Sequence, residues 1–213
     1  MSAAFRLHCF AQSGNAYKAA LMLELSGAAW EPVFVDFFNG ATRMPAYRAV
    51  NAMGEVPVLE HGGLRLSQSG VILDHLAETL GTFRPAEADR REVLRWVLWD
   101  NHKLTSYVAT LRFMLNFLPE AKREPAVIAF LDGRAKAALR VLEDHLAGRE
   151  WIVGGTPTTA DLSCVGYLFF AEEFGLDLAA HPNIARWRDA LAALPGWRHP
   201  YDMMPGHPLP GPA

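Results

Sequence analysis

A hydroxyl and an amide side chain stand where a short apolar segment gives way to a helical pattern, in the tripeptide Ser13-Gly14-Asn15. The backbone N–H groups at a helix N-terminus have no partner within the helix, and the helix dipole attracts negative charge there. Ser13 and Asn15 could therefore donate hydrogen bonds to an anion such as a thiolate. They could equally serve only as N-terminal caps, so the pattern leaves both interpretations open.

A second polar pair, Gln68-Ser69, stands between a strand pattern and the start of another helical pattern. The Ser69 hydroxyl would lie beside unpaired N–H groups, which suits a small carboxylate, although Ser69 could simply cap its helix. Upstream, Val56 precedes Pro57 at the start of a strand pattern. A cis bond there would expose the backbone of Val56 to an extended ligand, but only about 5–6% of X-Pro bonds are cis.

Two further groups of polar residues fall on helical patterns. Asp100, Lys103 and Tyr107 share one helix face in the spacing i, i+3 and i+7. The simple interpretation is a solvated ion pair beside a packing aromatic ring; the alternative puts Asp100 in a ligand site and Tyr107 along an apolar substrate pocket. Thr158 and Asp161 have the spacing of a capping box, to which we assign no catalytic role.

Residue types and spacing argue against several kinds of site. The histidines include no pair with the spacing of a zinc helix, so the sequence predicts no metal site. Glycine loops for phosphate are absent, and Ser13 lacks the Gly-x-Ser-x-Gly context of a hydrolase nucleophile. Cys9 and Cys164 lie in apolar contexts, where we expect buried free thiols.

The first part of the chain alternates strand and helix patterns. In order, they predict a strand at 5–10, a helix at 16–25, a strand at 30–36, a short helix at 44–50, a hairpin at 56–59 and 64–66, and a helix from Ser69. This order suits a small mixed sheet with helices packed on it.

After Gly81 the patterns are helical only. They predict one long helix or a bent pair at 91–117, and helices at 126–146, 158–174 and 184–194. The Pro- and Gly-rich end, 200–213, is expected to wrap the surface or to move freely. We therefore predict an α/β domain over 1–81 and an all-α domain over 88–213.

The composition is that of an ordinary globular protein. The 213 residues are 51% hydrophobic and 20% charged, with a formal net charge of −3. Basic residues are scattered, so we expect no nucleic-acid or membrane partner. No segment has the pattern of a signal peptide or a membrane span, and we expect a cytoplasmic protein.

Taken in order, several segments resemble landmarks of the cytosolic glutathione S-transferase family, of a bacterial type with serine or asparagine in the N-terminal motif. They are SGNAYK (13–18), GEVPVL (54–59), LSQSGVIL (66–73), PTTADL (157–162), PNIARW (182–187) and LPGW (194–197). Each is weak alone, whereas the ordered set is specific. The resemblance implies a thioredoxin-like N-terminal domain, an all-helical C-terminal domain and a homodimer.

The resemblance also implies how glutathione is bound. Ser69, helped by Gln68, would contact the γ-glutamyl carboxylate and amino group. Val56-Pro57 would be cis, and the Val56 backbone would pair with the cysteinyl part. Asp100 resembles an acidic residue that reaches the glutathione amino group across the dimer interface in several classes.

For chemistry, the resemblance places Ser13 beside the glutathione sulfur, with Asn15 as a second candidate donor. The thiolate would attack an electrophilic, apolar substrate between the domains, with Tyr107 and Trp99 as candidate wall residues; no metal is implied. A disulfide reductase, dehalogenase or isomerase on the same fold is one alternative, and a non-catalytic binder is another. A mechanism through a protein cysteine is disfavoured, because Ser13 stands where cysteine-type members have a thiol.

Overall fold

Two units account for the residues that the computed structural model describes, 4–209. One contains the chain up to Arg84 together with the chain from Leu194, and the other extends from Pro85 to Ala193. The first combines a sheet with helices and the second is helical, which confirms the predicted fold class.

A four-stranded mixed sheet forms the centre of the first unit. Its strands are β1 (Phe5–Cys9), β2 (Trp30–Phe34), β3 (Val58–His61) and β4 (Leu64–Ser67). They lie in the order β2-β1-β3-β4, with β2 parallel and β3 antiparallel to β1, and with β4 antiparallel to β3. Leu7 and Leu59, which face each other across β1 and β3, are fully buried, so the apolar faces predicted from the sequence form the core.

Three helices follow from the sheet strands. They are α1 (Gly14–Leu25), the short α2 (Pro45–Arg48) and α3 (Ser69–Leu80). Helix α1 ends before Gly27, and α3 ends before Gly81; both glycines have a left-handed φ, +63° and +71°, that a helix end commonly requires. Helix α1 begins shortly after β1 ends, and α3 begins soon after β4 ends.

The second unit consists of helices α4 (Arg90–Trp99), α5 (Thr105–Asn116), α6 (Pro125–Leu146), α7 (Thr159–Val165) and α8 (Pro182–Ala192). A π-helical turn, Asp100–Leu104, joins α4 to α5, so the predicted 91–117 segment is two helices. The single helix predicted at 158–174 is wrong. It stops at Val165, and the following 3₁₀ segment is interrupted by the non-helical backbone of Phe170.

The capping box predicted at the start of α7 is confirmed. The Thr158 hydroxyl accepts from the backbone N–H of Ala160 (3.3 Å), and the Thr158 N–H donates to Asp161 Oδ2 (2.8 Å). The Asp161 carboxylate also accepts from the backbone N–H of Ile152 and from Trp187 Nε1, both at 2.9 Å. It therefore joins α8 and the segment before α7 to the capped helix end.

The C-terminal segment packs on the first unit, although the sequence had grouped it with the helical domain. It contains the short helix α9 (Pro200–Met203). The Tyr17 hydroxyl donates to the Arg198 carbonyl (2.9 Å), and the Ala11 N–H donates to the Pro205 carbonyl (2.8 Å). Composition shows that such a segment does not form a long helix, but it does not show where the segment packs. The last part of the predicted C-terminal segment, 210–213, lies outside the described part of the chain.

Within residues 4–209, none of the helices combines the length and the apolar character that crossing a membrane requires.

Candidate functional site

Ser13 occupies the N-cap position of α1. Its backbone is extended (φ −87°, ψ 105°), and its Oγ accepts a hydrogen bond from the Ala16 N–H at 3.1 Å. A hydroxyl that accepts in this way keeps its own proton to donate. The two interpretations of the sequence are thus compatible, because Ser13 caps the helix and still has one hydrogen-bond donor.

Asn15 and Ser69 bring the N-termini of α1 and α3 together. The Ser69 hydroxyl is directed at Asn15 Oδ1 across 3.5 Å, the outer limit of a hydrogen bond. Ser69 is almost fully buried, with 4% of its surface exposed. Two helix N-termini, each a region of positive potential, therefore meet beside Ser13, Asn15 and Ser69, an arrangement that suits an anion.

Gln68 has a backbone conformation that is rare for a residue with a side chain. Its φ is +71° and its ψ 116°. Its side-chain amide donates to Glu55 Oε2 (3.2 Å) and approaches the sulfur of Met53 (3.1 Å). Strained residues of this kind cost about 1–3 kcal/mol and cluster at ligand-binding sites. The strain thus singles out the position that the sequence analysis had also selected.

Two side chains form hydrogen bonds with the backbone just before Pro57. The Val56–Pro57 peptide bond is cis, as the resemblance implied. The Glu55 carbonyl accepts from both the Tyr47 hydroxyl and the Asn51 side-chain amide, each at 2.9 Å. Nothing in the sequence had indicated Tyr47 or Asn51, because their contribution depends on a loop geometry that spacing does not reveal.

The backbone of Val56 is left available by this arrangement. Over residues 4–209, its N–H and C=O groups make no hydrogen bond to the protein. A residue with both groups unpaired can pair with the backbone of an extended peptide through two hydrogen bonds.

Asp100 lies in the interior of the helical unit. Its side chain has no exposed surface, and its two oxygens accept from the hydroxyls of Thr105 (2.7 Å) and Ser163 (2.6 Å). The π-helical turn Asp100–Leu104 also rotates Asp100 away from the face on which regular helical spacing would place it with Tyr107. The role of Asp100 at the glutathione site stays a prediction, which these two hydrogen bonds do not favour.

Trp99 and Tyr107 lie on α4 and α5 of the helical unit and are half-buried. The Tyr107 hydroxyl accepts from Arg134 Nη2 at 2.9 Å, and the Arg134 guanidinium also lies 5.1 Å from the centre of the Tyr107 ring. The hydrogen bond from Arg134 lowers the pKa of Tyr107 below its usual value. Their role as walls for the second substrate stays a prediction.

In the part of the chain that is described, there is no group of three or more His, Cys, Asp or Glu side chains that could hold a metal ion.

Both cysteines are buried free thiols, as the sequence predicted. Burial raises the pKa of the Cys9 thiol to about 12, so it stays protonated at neutral pH. We expect a thiol reagent such as 5,5′-dithiobis(2-nitrobenzoate) to label the native protein at least about tenfold more slowly than the denatured one. Unfolding in guanidinium should release two reactive thiols per chain. Rapid labelling of the native protein would contradict the burial of Cys9 and Cys164, and would reopen a cysteine mechanism.

Comparison with protein families gives a match to both parts of the chain. The model of the glutathione S-transferase N-terminal domain matches residues 5–78, and that of the C-terminal domain matches residues 104–195. The chain therefore belongs to the glutathione S-transferase family, as its motifs had suggested.

Different relatives are named for different activities. Maleylacetoacetate isomerase of Rhizobium meliloti is 34% identical over 83% of this chain and 85% of its own length. A glutathione S-transferase from Xanthobacter autotrophicus has a structure with a TM-score of 0.84 and 37% identity, covering 91% of this chain and 95% of that one. A glutathione transferase from Burkholderia graminis, solved with two glutathione molecules per subunit, is 26% identical with a TM-score of 0.79, covering 90% and 85% of the two chains.

Proposed function

We propose that this protein binds glutathione, lowers the pKa of its thiol and adds the resulting thiolate to an electrophilic, apolar second substrate. The observation that most supports this proposal is the Ser13 hydroxyl at the N-terminus of α1, with a proton left to donate. Asn15 provides a second donor, because its side-chain NH₂ makes no hydrogen bond within residues 4–209.

These donors can supply the free energy that is needed to lower the pKa of the glutathione thiol. A free thiol with a pKa of about 8.5 is only about 3% ionised at pH 7. Lowering the pKa by about two units makes the thiolate the main form and requires about 2.7 kcal/mol of preferential stabilisation. A charge-assisted hydrogen bond from Ser13 or Asn15, together with the dipole of α1, is of this order. Ser13 therefore acts as a hydrogen-bond donor and is neither a nucleophile nor a base.

The remaining residues hold glutathione in place. The γ-glutamyl end is an amino acid, and its carboxylate suits the Ser69 hydroxyl and the N–H groups at the start of α3. Gln68 presents its amide beside Glu55, whose carboxylate suits the ligand's ammonium group. The cysteinyl part pairs with the unoccupied N–H and C=O of Val56, which orients the sulfur toward Ser13.

Replacement of Ser69 by alanine tests this binding mode. We expect the dissociation constant for glutathione, measured by isothermal titration calorimetry, to rise about 10- to 100-fold, because a charge-assisted hydrogen bond contributes roughly 1.5–3 kcal/mol. Asp100→Asn is the matched control. Since Asp100 is buried and bonded to Thr105 and Ser163, the control should leave the dissociation constant within about twofold. Equal losses in the two variants would argue against a specific role of Ser69 and would favour Asp100 as a glutathione-binding residue.

An isomerase activity is the second candidate, and the 34% identity with a maleylacetoacetate isomerase favours it. A thiolate that adds to one carbon of an activated double bond leaves a single bond that can rotate. Expulsion of the thiolate then re-forms the double bond in the other geometry, and glutathione is regenerated. Both activities use the same site, so product analysis separates them: a thioether that consumes glutathione marks a transferase, and an isomer formed without consumption marks an isomerase.

We also propose that the protein is a homodimer. Leu94 and Leu98, one turn apart on α4, are 56% and 61% exposed, and a pair of exposed leucines on one helix face suits burial against a second chain. Light scattering after size exclusion should give about twice the 23.5 kDa of one chain, and a mass of one chain would contradict the proposal. The cytoplasmic location expected from the sequence stays a prediction.

A further inference from the structure

The two residues before Ser13 form hydrogen bonds with the C-terminal segment. The Ala11 N–H donates to the Pro205 carbonyl and the Gln12 side-chain amide donates to the Gly206 carbonyl, both at 2.8 Å. Adjacent residues of the turn after β1 thus contact adjacent carbonyls of the C-terminal segment. Ala11 is fully buried and Gln12 is 4% exposed, so the donor side of both hydrogen bonds is shielded from water.

The C-terminal segment is itself held in one place. Gly206 has a φ of +94°, and a Cβ at this position would lie 2.7 Å from the Phe34 ring at the end of β2. Only glycine allows this close approach without movement of the ring. The Tyr201 and His207 rings of the same segment stack, with centroids 3.7 Å apart and an interplanar angle of 8°. These contacts restrain the backbone that presents the carbonyls of Pro205 and Gly206 to Ala11 and Gln12.

We propose that the C-terminal segment 204–208 positions the turn 10–13, which carries Ser13. Gln12 is the positioning residue, because its hydrogen bond to the segment restrains the turn. The inference rests on the proposed function of Ser13. Gln12 does not contact the reacting sulfur; it sets where the Ser13 hydroxyl lies.

The geometry of the turn explains why such a hold matters. The turn connects β1 to α1, and the Ser13 N–H closes it by donating to the Phe10 carbonyl at 3.0 Å. Ala11 and Gln12 are the two central residues of this turn, so the C-terminal segment forms its hydrogen bonds with the centre of the turn. A displacement of about 1 Å in a positioned group can cost about a hundredfold in rate. A turn released from the tail would still cap α1, but its hydroxyl would no longer be fixed against the sulfur.

A matched pair of truncations tests the inference. One variant ends at Leu209 and keeps both carbonyls, whereas the other ends at Met204 and removes them. The readout is the pKa of the glutathione thiol bound to each protein, taken from ultraviolet thiolate absorbance against pH, with thermal unfolding measured in parallel. We expect the longer variant to match the full chain. In the shorter one we expect the bound thiol pKa to rise by about 0.5–1 unit, which lowers the thiolate fraction about three- to tenfold below that pKa.

The substitution Gln12→Leu provides a second route if the shorter truncation fails to fold. It removes the donor to Gly206 and keeps the size of the side chain, and it should raise the bound thiol pKa in the same direction. A folded variant of either kind with the pKa of the full chain would overturn the inference, because a tail that only stabilises the fold would change the melting temperature alone. A full chain that binds glutathione without ionising it would instead overturn the proposed function, and this inference with it.

Discussion

Replacement of Ser13 by alanine is expected to lower kcat/KM for an aryl halide probe such as 1-chloro-2,4-dinitrobenzene by about a hundredfold at neutral pH. Removing one preorganised donor from a developing or bound anion costs about 10²–10³ in rate. Ser13 supplies such a donor because its Oγ accepts from the Ala16 N–H and keeps its own proton. The measurement is initial rate against glutathione concentration, together with the pKa of the bound thiol, which should rise toward that of free glutathione.

Loss of the helix cap must be separated from loss of the donor in this experiment. Alanine at an N-cap costs about 1 kcal/mol of stability, whereas glycine costs only a few tenths. Ser13→Gly therefore removes the hydroxyl with little loss of helix stability, and should lower activity as much as Ser13→Ala. Ser13→Thr retains a hydroxyl and should recover part of the activity. Unchanged turnover in Ser13→Ala, with a large loss in Asn15→Ala, would transfer the role to Asn15.

The largest expected effect on stability comes from Asp161→Ala, which should lower the free energy of unfolding by about 3–5 kcal/mol. The carboxylate is fully buried and accepts from the N–H groups of Ile152 and Thr158 and from the indole of Trp187. Alanine leaves these donors buried without an acceptor. Urea unfolding followed by circular dichroism measures the change.

Asp177→Ala is the matched control for this prediction. Asp177 also caps a helical turn, by accepting from the Ala179 N–H at 2.9 Å, but it is exposed to solvent. Water can replace its hydrogen bond, so the variant should lose no more than about 1 kcal/mol. Asp161→Asn should fall between the two, because its amide oxygen can still accept from Trp187 while its NH₂ cannot accept from Thr158. A loss below about 1 kcal/mol in Asp161→Ala would contradict the account of this carboxylate.

The strands and helices of the first unit could be predicted because local signals determine them. The spacing of Tyr17, Leu21 and Leu25 defines α1, Gly27 ends it, and Gly62-Gly63 marks the turn between β3 and β4. The helical unit was less predictable in detail. Apolar residues continue past Val165, so periodicity gave no sign of the break there, and the location of the C-terminal segment depends on tertiary contacts with Ala11 and Gln12.

For the site, the sequence placed Ser13 and Ser69 at helix N-termini, where they lie. Ser13 is the N-cap of α1, whereas Ser69 is the first residue of α3, after the N-cap residue Gln68. The sequence did not reveal that Asp100 lies buried in a π-helical turn, since such a turn has no sequence signature comparable to a cap. It also missed Tyr47 on α2 and Asn51 just after α2, which both donate to the Glu55 carbonyl. Hydrogen bonds of that kind are consequences of the fold and not of spacing.

Ionisation of bound glutathione is tested most directly by the ultraviolet absorbance of its thiolate at neutral pH, recorded as the protein is titrated into glutathione. We expect a saturable rise, because the Ser13 and Asn15 donors at the N-terminus of α1 should make the thiolate the main form of bound glutathione. Binding confirmed by calorimetry, without any rise in thiolate absorbance, would contradict the proposed role of these donors.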